Sequence, residues 1–182
     1  MSKKILVLCG SPRKHGNTDL LCNEFIRGVI EVGHKPEKII IKDLDIKGCI
    51  GCGSCRVNGG NCVQKDDMED IYEKIYVSDV IVIASPIYFY TWTSQIKAVI
   101  DRTFAIEQNI INKIFYLIST GAAPSEDYMI TMKNSFEQYV SCFRAGGNTI
   151  GGSVFAVSTN KPGDVIGTDA IIQAYEMGKN IK

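Results

Sequence analysis

The stretch Ile5-Leu6-Val7-Leu8-Cys9-Gly10-Ser11-Pro12-Arg13-Lys14-His15-Gly16-Asn17-Thr18 decides how the chain folds. Its first residues are an aliphatic run without polar alternation, the mark of a strand buried on both faces. A glycine-punctuated loop follows, and then Leu21, Phe25 and Val29 recur at i, i+4 and i+8. That period predicts a helix over residues 17–32, capped by Asn17 or Thr18 and ended by Gly33. A strand, a donor-rich loop and a helix in this order place unpaired N–H groups and a positive dipole end beside the strand's carboxyl end. Such a joint binds anions.

Outward from this unit, the same alternation continues. Strands are predicted at 38–42, 80–84, 114–119 and 151–157, and helices after Asp66 or Asp67 through Ile75, over 94–104, over 128–144 and over 168–180. The run Val80-Ile81-Val82-Ile83-Ala84 reads as a central strand. The pattern predicts a doubly wound α/β sheet whose ligand crevice lies at the carboxyl ends of the strands. No repeat or linker interrupts it, so one domain is expected over residues 1–182, with a cysteine-rich loop at about 43–66.

Twenty basic and twenty acidic residues cancel, which removes bulk electrostatic attraction to nucleic acid or an anionic membrane. The first apolar run, at residues 5–9, is far too short for a signal or membrane-spanning segment. A cytoplasmic location is therefore expected, where thiols stay reduced.

In the first loop, Ser11, Asn17 and Thr18 offer side-chain donors and Arg13 a cation. Neither the dinucleotide glycine pattern nor the nucleoside-triphosphate pattern is present, and Asn17 stands where the latter would need lysine. A phosphate monoester that stays bound suits such a loop; the plain alternative is a strand–loop–helix joint with a capping Asn or Thr. A second crevice segment, Ser85-Pro86-Ile87-Tyr88-Phe89-Tyr90-Thr91-Trp92, holds aromatics able to face a flat heteroaromatic ring, or to form a core or dimer-interface cluster. A third, Thr120-Gly121-Ala122-Ala123, is small enough to bring backbone N–H groups to a ring edge. A phosphate loop joined to two loops fitted to a planar ring points to flavin mononucleotide (FMN).

Cys49, Cys52, Cys55 and Cys62 stand on a glycine-rich loop with gaps suited to wrapping a compact soft-metal cluster. A single [4Fe–4S] cluster, a zinc site, and free or paired thiols beside a working flavin are the three readings. Cys9, Cys22 and Cys142 stand alone among apolar or helical neighbours and read as small buried residues. His15 reads as an exposed neighbour of the loop, and Asp101 and Arg102 as structural residues.

The segments at residues 5–18, 81–89 and 95–103 resemble the flavodoxin-like NADPH-dependent FMN reductase family, and residues 49–62 with Asp66-Asp67-Met68 resemble its iron–sulfur flavoprotein branch. The resemblance implies a five-stranded parallel sheet of order 2-1-3-4-5 with helices on both faces. It implies FMN phosphate on Ser11, Arg13, Asn17 and Thr18, the ring lined by Pro86, Ile87, Tyr88 and Phe89, and Thr120 and Gly121 at its edge. It further implies a homodimer or homotetramer. The expected activity moves electrons from NAD(P)H as co-substrate, or from a reduced carrier, through FMN and by way of a [4Fe–4S] cluster where one is held, to an acceptor, with a ferredoxin-type carrier as a further partner. Relatives typically follow the Phe89 position with glycine; here it is Tyr90. A non-catalytic flavodoxin-type electron carrier and a thiol redox sensor are the alternatives.

Overall fold

The computed structural model of the chain describes residues 2–182. Strands β1 (Lys4–Cys9), β2 (Lys35–Ile40), β3 (Val80–Pro86), β4 (Ile114–Thr120) and β5 (Thr149–Ala156) form one parallel sheet in the order β2-β1-β3-β4-β5. The crossovers carry α1 (Asn17–Glu31), α2 (Met68–Val77), α3 (Ser94–Arg102) and α4 (Ile130–Ser141), and α5 (Asp169–Lys179) follows β5. The expected fold class and strand order are those observed.

Successive strand side chains point to opposite faces, and here both faces are covered. Leu6, Leu8, Ile81, Ile83 and Leu117 pack against α2, α3 and α4 through Met68, Ile71, Ile96, Val99 and Phe136. Ile5, Val7, Val80, Val82 and Ile118 pack against α1 and α5 through Leu21, Phe25 and Ala174. Each such buried aliphatic side chain contributes about 1.5–3 kcal/mol. The α1–α5 crossing is close: a Cβ on Gly28 would lie 2.2 Å from the Tyr175 carbonyl oxygen, so any larger residue there forces the helices apart.

Several expected boundaries move. The second strand begins at Lys35 rather than residue 38, because its ladder runs from Lys4 opposite Lys35 to Cys9 opposite Ile40. Pro36 is tolerated because β2 is an edge strand, and Ile41–Asp43 turns into a 3-10 helix. The helix expected over 94–104 is α-helical only to Arg102 and continues as a 3-10 segment, Thr103–Asn109. The one expected over 128–144 begins as a 3-10 turn, Glu126–Met129, before α4. Cys142, expected to be buried, is exposed just past α4, where its thiol donates to the Gln138 carbonyl. Cys9 and Cys22 are buried as expected. Among the described residues no helix is long and apolar enough to cross a membrane.

Candidate functional site: a cleft at the carboxyl edge of the sheet

The loops after β1, β3, β4 and β5 meet over the carboxyl ends of the strands and enclose a cleft of about 190 Å³. Ser11, Arg13, Asn17 and Thr18 line it from the first loop, Pro86, Ile87 and Tyr88 from the second, and Thr120 and Gly121 from the third. Phe89 is outside the lining and 98% exposed.

The phosphate loop differs in detail from its sequence reading. Residue Gly16, not Asn17 or Thr18, is the N-cap of α1, and no side chain caps the helix. Leu20 N–H reaches the Gly16 carbonyl at 3.0 Å, so the first-turn amides of Asn17, Thr18 and Asp19 have no intrahelical acceptor, and Asn17 and Thr18 line the cleft. The Asn17 side chain does not cap its own helix; it turns to the segment after β5. Its Nδ2 donates to Lys161 O at 2.9 Å, and its Oδ1 accepts from Gly163 N at 2.9 Å and Val165 N at 3.3 Å. The hydroxyls of Thr18 and Thr120 share a buried 2.8 Å hydrogen bond, which ties the first loop to the end of β4. Ser11 Oγ closes a tight turn with Arg13, donating to its carbonyl and accepting from its N–H at 3.2 Å. Among the described residues the Arg13 guanidinium makes only a long 3.5 Å contact, with Asn160 O. His15 is exposed and left-handed at φ 57, its N–H held by the buried Asp19 carboxylate at 2.9 Å. Asp19 in turn pairs with Lys38 at 2.7 Å.

Gly10 answers to packing rather than to a ligand: a Cβ there would sit 2.5 Å from the Cβ of Ile96 on α3. Thr93 Oγ1 donates to Gly10 O at 2.7 Å, Ser119 Oγ to Ser85 O at 2.9 Å, and Thr93 N to Ser85 Oγ at 3.2 Å. This buried hydroxyl network joins the ends of β1, β3 and β4 to the start of α3 and has no signature in the sequence.

Tyr88 and Thr91 exchange backbone hydrogen bonds of 3.0 and 3.1 Å around a two-residue turn. Its central residues, Phe89 and Tyr90, both have positive φ, 47° and 69°, a type I′ pattern that favours Asn-Gly. Tyr88 faces the cleft, and Phe89 and Tyr90 face outward. Trp92 takes the core alternative: it is 6% exposed, and its Nε1 donates to Ser135 Oγ at 2.8 Å. The Gly121 N–H, expected at a ring edge, donates to Ala156 O at 2.9 Å.

The sequence reading missed the wall after β5. Thr159, Asn160 and Pro162 line the cleft. Asp164 organises this segment by accepting from the N–H groups of Lys161 and Asn160 at 2.6 and 2.8 Å, and these bonds lower its pKa. The stretch Lys161-Pro162-Gly163-Asp164 was the available signal.

The cysteines form a separate place. Cys49, Cys52, Cys55 and Cys62 all line one cavity of about 230 Å³, walled further by Ile50, Val63, Phe104, Ala105 and Arg102. Cys49 and Cys52 are exposed, Cys55 and Cys62 half-buried, and all four are free thiols. The Ser54 hydroxyl and N–H lower the Cys52 thiol below its ordinary value. Among the described residues no three His, Cys, Asp or Glu side chains gather tightly enough to hold a metal ion. The base of the loop is clamped by Arg102. Its Nη1 donates to Lys47 O at 3.0 Å and Asp66 Oδ2 at 2.8 Å, and its Nη2 to Asp66 Oδ1 at 3.0 Å. Both side chains of this pair are 1% exposed. Burial would raise the Asp66 pKa, but the guanidinium and the N–H groups of Lys47 and Met68 outweigh it and hold it low. Tyr72, pushed up to about 12 by burial, donates its hydroxyl to Arg102 O at 2.8 Å. Among the described residues, Arg102 Nε is buried with no hydrogen-bond partner.

The NADPH-dependent FMN reductase family profile matches residues 3–160. An iron-sulfur flavoprotein of Methanocaldococcus jannaschii is 34% identical over 122 residues, 66% of this chain and 63% of that protein. One of Archaeoglobus fulgidus is 37% identical over 99 residues, 54% of this chain and 44% of that protein. The chain thus matches only about half to two thirds of the length of these relatives. Among solved structures, an NAD(P)H:quinone oxidoreductase from Methanothermobacter marburgensis superposes with a TM-score of 0.75 at 14% identity, covering 99% of this chain and 96% of that one, a likeness of fold. With the family profile spanning most of the sequence and the strand order it implies present in the sheet, the chain belongs to the NADPH-dependent FMN reductase family.

Proposed function

We propose that the carboxyl-edge cleft binds FMN and that the protein oxidises NAD(P)H through it, passing electrons to a small redox substrate or a ferredoxin-type carrier. The carrying observation is the convergence of an uncapped helix start, Arg13 and the loops after β3 and β4 on one cleft. The residues fit the group. First-turn amides of α1, Ser11 and Arg13 suit a phosphate dianion, since charge-assisted hydrogen bonds at a helix start are strong. Thr18 and Thr120 hold the floor between them. Pro86, Ile87 and Tyr88 offer an apolar wall to a planar ring, with Thr120 and Gly121 at its edge. Bound FMN supplies hydride acceptance and release of electrons singly or in pairs.

The cysteine cavity fits a [4Fe–4S] cluster better than a single ion. A four-iron cubane spreads its thiolate ligands farther apart than one metal ion does, and its negative charge suits a cavity lined by Arg102, a buried cation whose Nε–H has no partner among the described residues. Cys49, Cys52, Cys55 and Cys62 would hold it, and it would supply one-electron transfer. The outward Phe89 and Tyr90 beside the cleft suit a subunit contact in a homodimer or homotetramer.

The test is steady-state oxidation of NADH and NADPH by FMN-loaded protein with quinone and one-electron acceptors. Turnover is expected. Failure to retain FMN overturns the cleft assignment. Retained FMN without turnover, but with reversible reduction by a ferredoxin, makes the protein a carrier.

A further inference from the structure

We propose that Arg102 sets the reduction potential of the cluster held by Cys49, Cys52, Cys55 and Cys62, as well as positioning the loop that carries them; this rests on the cluster reading above. Three observations converge on one side chain. Arg102 lines the cysteine cavity. Its two terminal nitrogens are committed to Lys47 O, before the first cysteine, and to the Asp66 carboxylate, after the last. Its Nε is buried with no acceptor.

A buried N–H without a partner forfeits its hydration with nothing in return, and native interiors seldom leave one. The bidentate pair with Asp66 fixes the guanidinium plane, so Nε cannot turn away to find an acceptor elsewhere. An anionic cluster in this cavity would give Nε–H the acceptor it lacks. Hydrogen bonds to cluster and thiolate sulfur favour the more negative, reduced form and raise the potential. The buried Asp66 carboxylate acts in the opposite sense by offsetting the guanidinium charge.

The two variants that test this shift the potential in opposite directions. Arg102→Lys keeps a cation opposite Asp66 and loses the Nε donor; Asp66→Asn keeps the donor and removes the offsetting charge. Each protein is reconstituted anaerobically with iron and sulfide, iron per chain is measured, and the midpoint is read by potentiometric titration with EPR detection. Arg102→Lys should lower the midpoint by about tenfold in the one-electron equilibrium, about 59 mV. Asp66→Asn should raise it. Circular dichroism checks each fold, and if Arg102→Lys does not fold, the Asp66→Asn midpoint decides alone. Faster iron loss to a chelator with unchanged midpoints means that Arg102 only braces the loop, and overturns the proposal while the cluster stands. Wild-type protein that takes up no iron removes the cluster reading and this proposal with it.

Discussion

Asn17 separates two accounts of the phosphate loop. Its side chain makes three hydrogen bonds to the wall after β5, at 2.9, 2.9 and 3.3 Å, with partners 144 to 148 residues away in sequence. Asn17→Ala removes all three. Each is worth about 0.5–1.5 kcal/mol net, and the released groups lie near enough to solvent to rehydrate, so the loss should total roughly 2–3 kcal/mol. At 2–4 °C per kcal/mol for a chain of this size, the melting point should fall by about 4–12 °C. With the wall loosened, FMN and riboflavin should both bind more weakly, because Thr159, Asn160 and Pro162 move away from either ligand. Asn17→Asp retains the acceptor for Gly163 and Val165, so it should keep more of the stability while placing a charge beside the phosphate position. The assays are urea and thermal unfolding of flavin-free protein, and flavin fluorescence titrations. If Asn17→Ala leaves stability unchanged and weakens FMN while sparing riboflavin, Asn17 acts as a phosphate ligand and the wall argument is wrong.

Two further outcomes are expected. Tyr90→Gly relieves a non-glycine residue at φ 69° and should stabilise the protein by about 1 kcal/mol; a loss in urea unfolding would mean that the exposed ring makes contacts worth more than the strain. Asp66 sits below its ordinary pKa in the folded protein, so its stabilisation is complete above the unfolded value of about 4 and is lost as pH falls through the lower folded value. Unfolding measured from about pH 6 down to about pH 2.5 should therefore show the stability gap between wild type and Asp66→Asn closing in acid, and a gap that stays constant would show that Arg102 does not depend on the Asp66 charge.

Much of the fold was legible because it is written in local periodicity. The doubly apolar runs of β1 and β3 and the 3.6-residue spacing of α1 need no long-range information. The site was legible to the extent that loops following strands must meet at the carboxyl edge. The rest depends on partners distant in sequence. Capping rules assign Asn17 to its own helix, and only the folded chain brings Lys161 to Val165 against it. Trp92 is drawn inward because Ser135 satisfies its N–H, which the aromatic cluster by itself does not reveal. Gly10 stands in a ligand-facing loop, yet what requires a glycine there is Ile96 on α3. Turn chemistry disfavours aromatics at the Phe89 and Tyr90 conformations, so no local rule anticipates them. The clamp from Arg102 to Asp66 joins α3 to the end of the cysteine loop, and adjacent charges at 101 and 102 gave no hint of which one turns inward.

The central claim is that the α1 helix start and Arg13 grip a flavin by its phosphate. Comparing FMN with riboflavin in binding titrations of the wild-type protein tests it most directly. Two charge-assisted contacts of about 1.5–3 kcal/mol each should make FMN bind at least about 100-fold more tightly. Equal affinity for the two flavins would contradict the account.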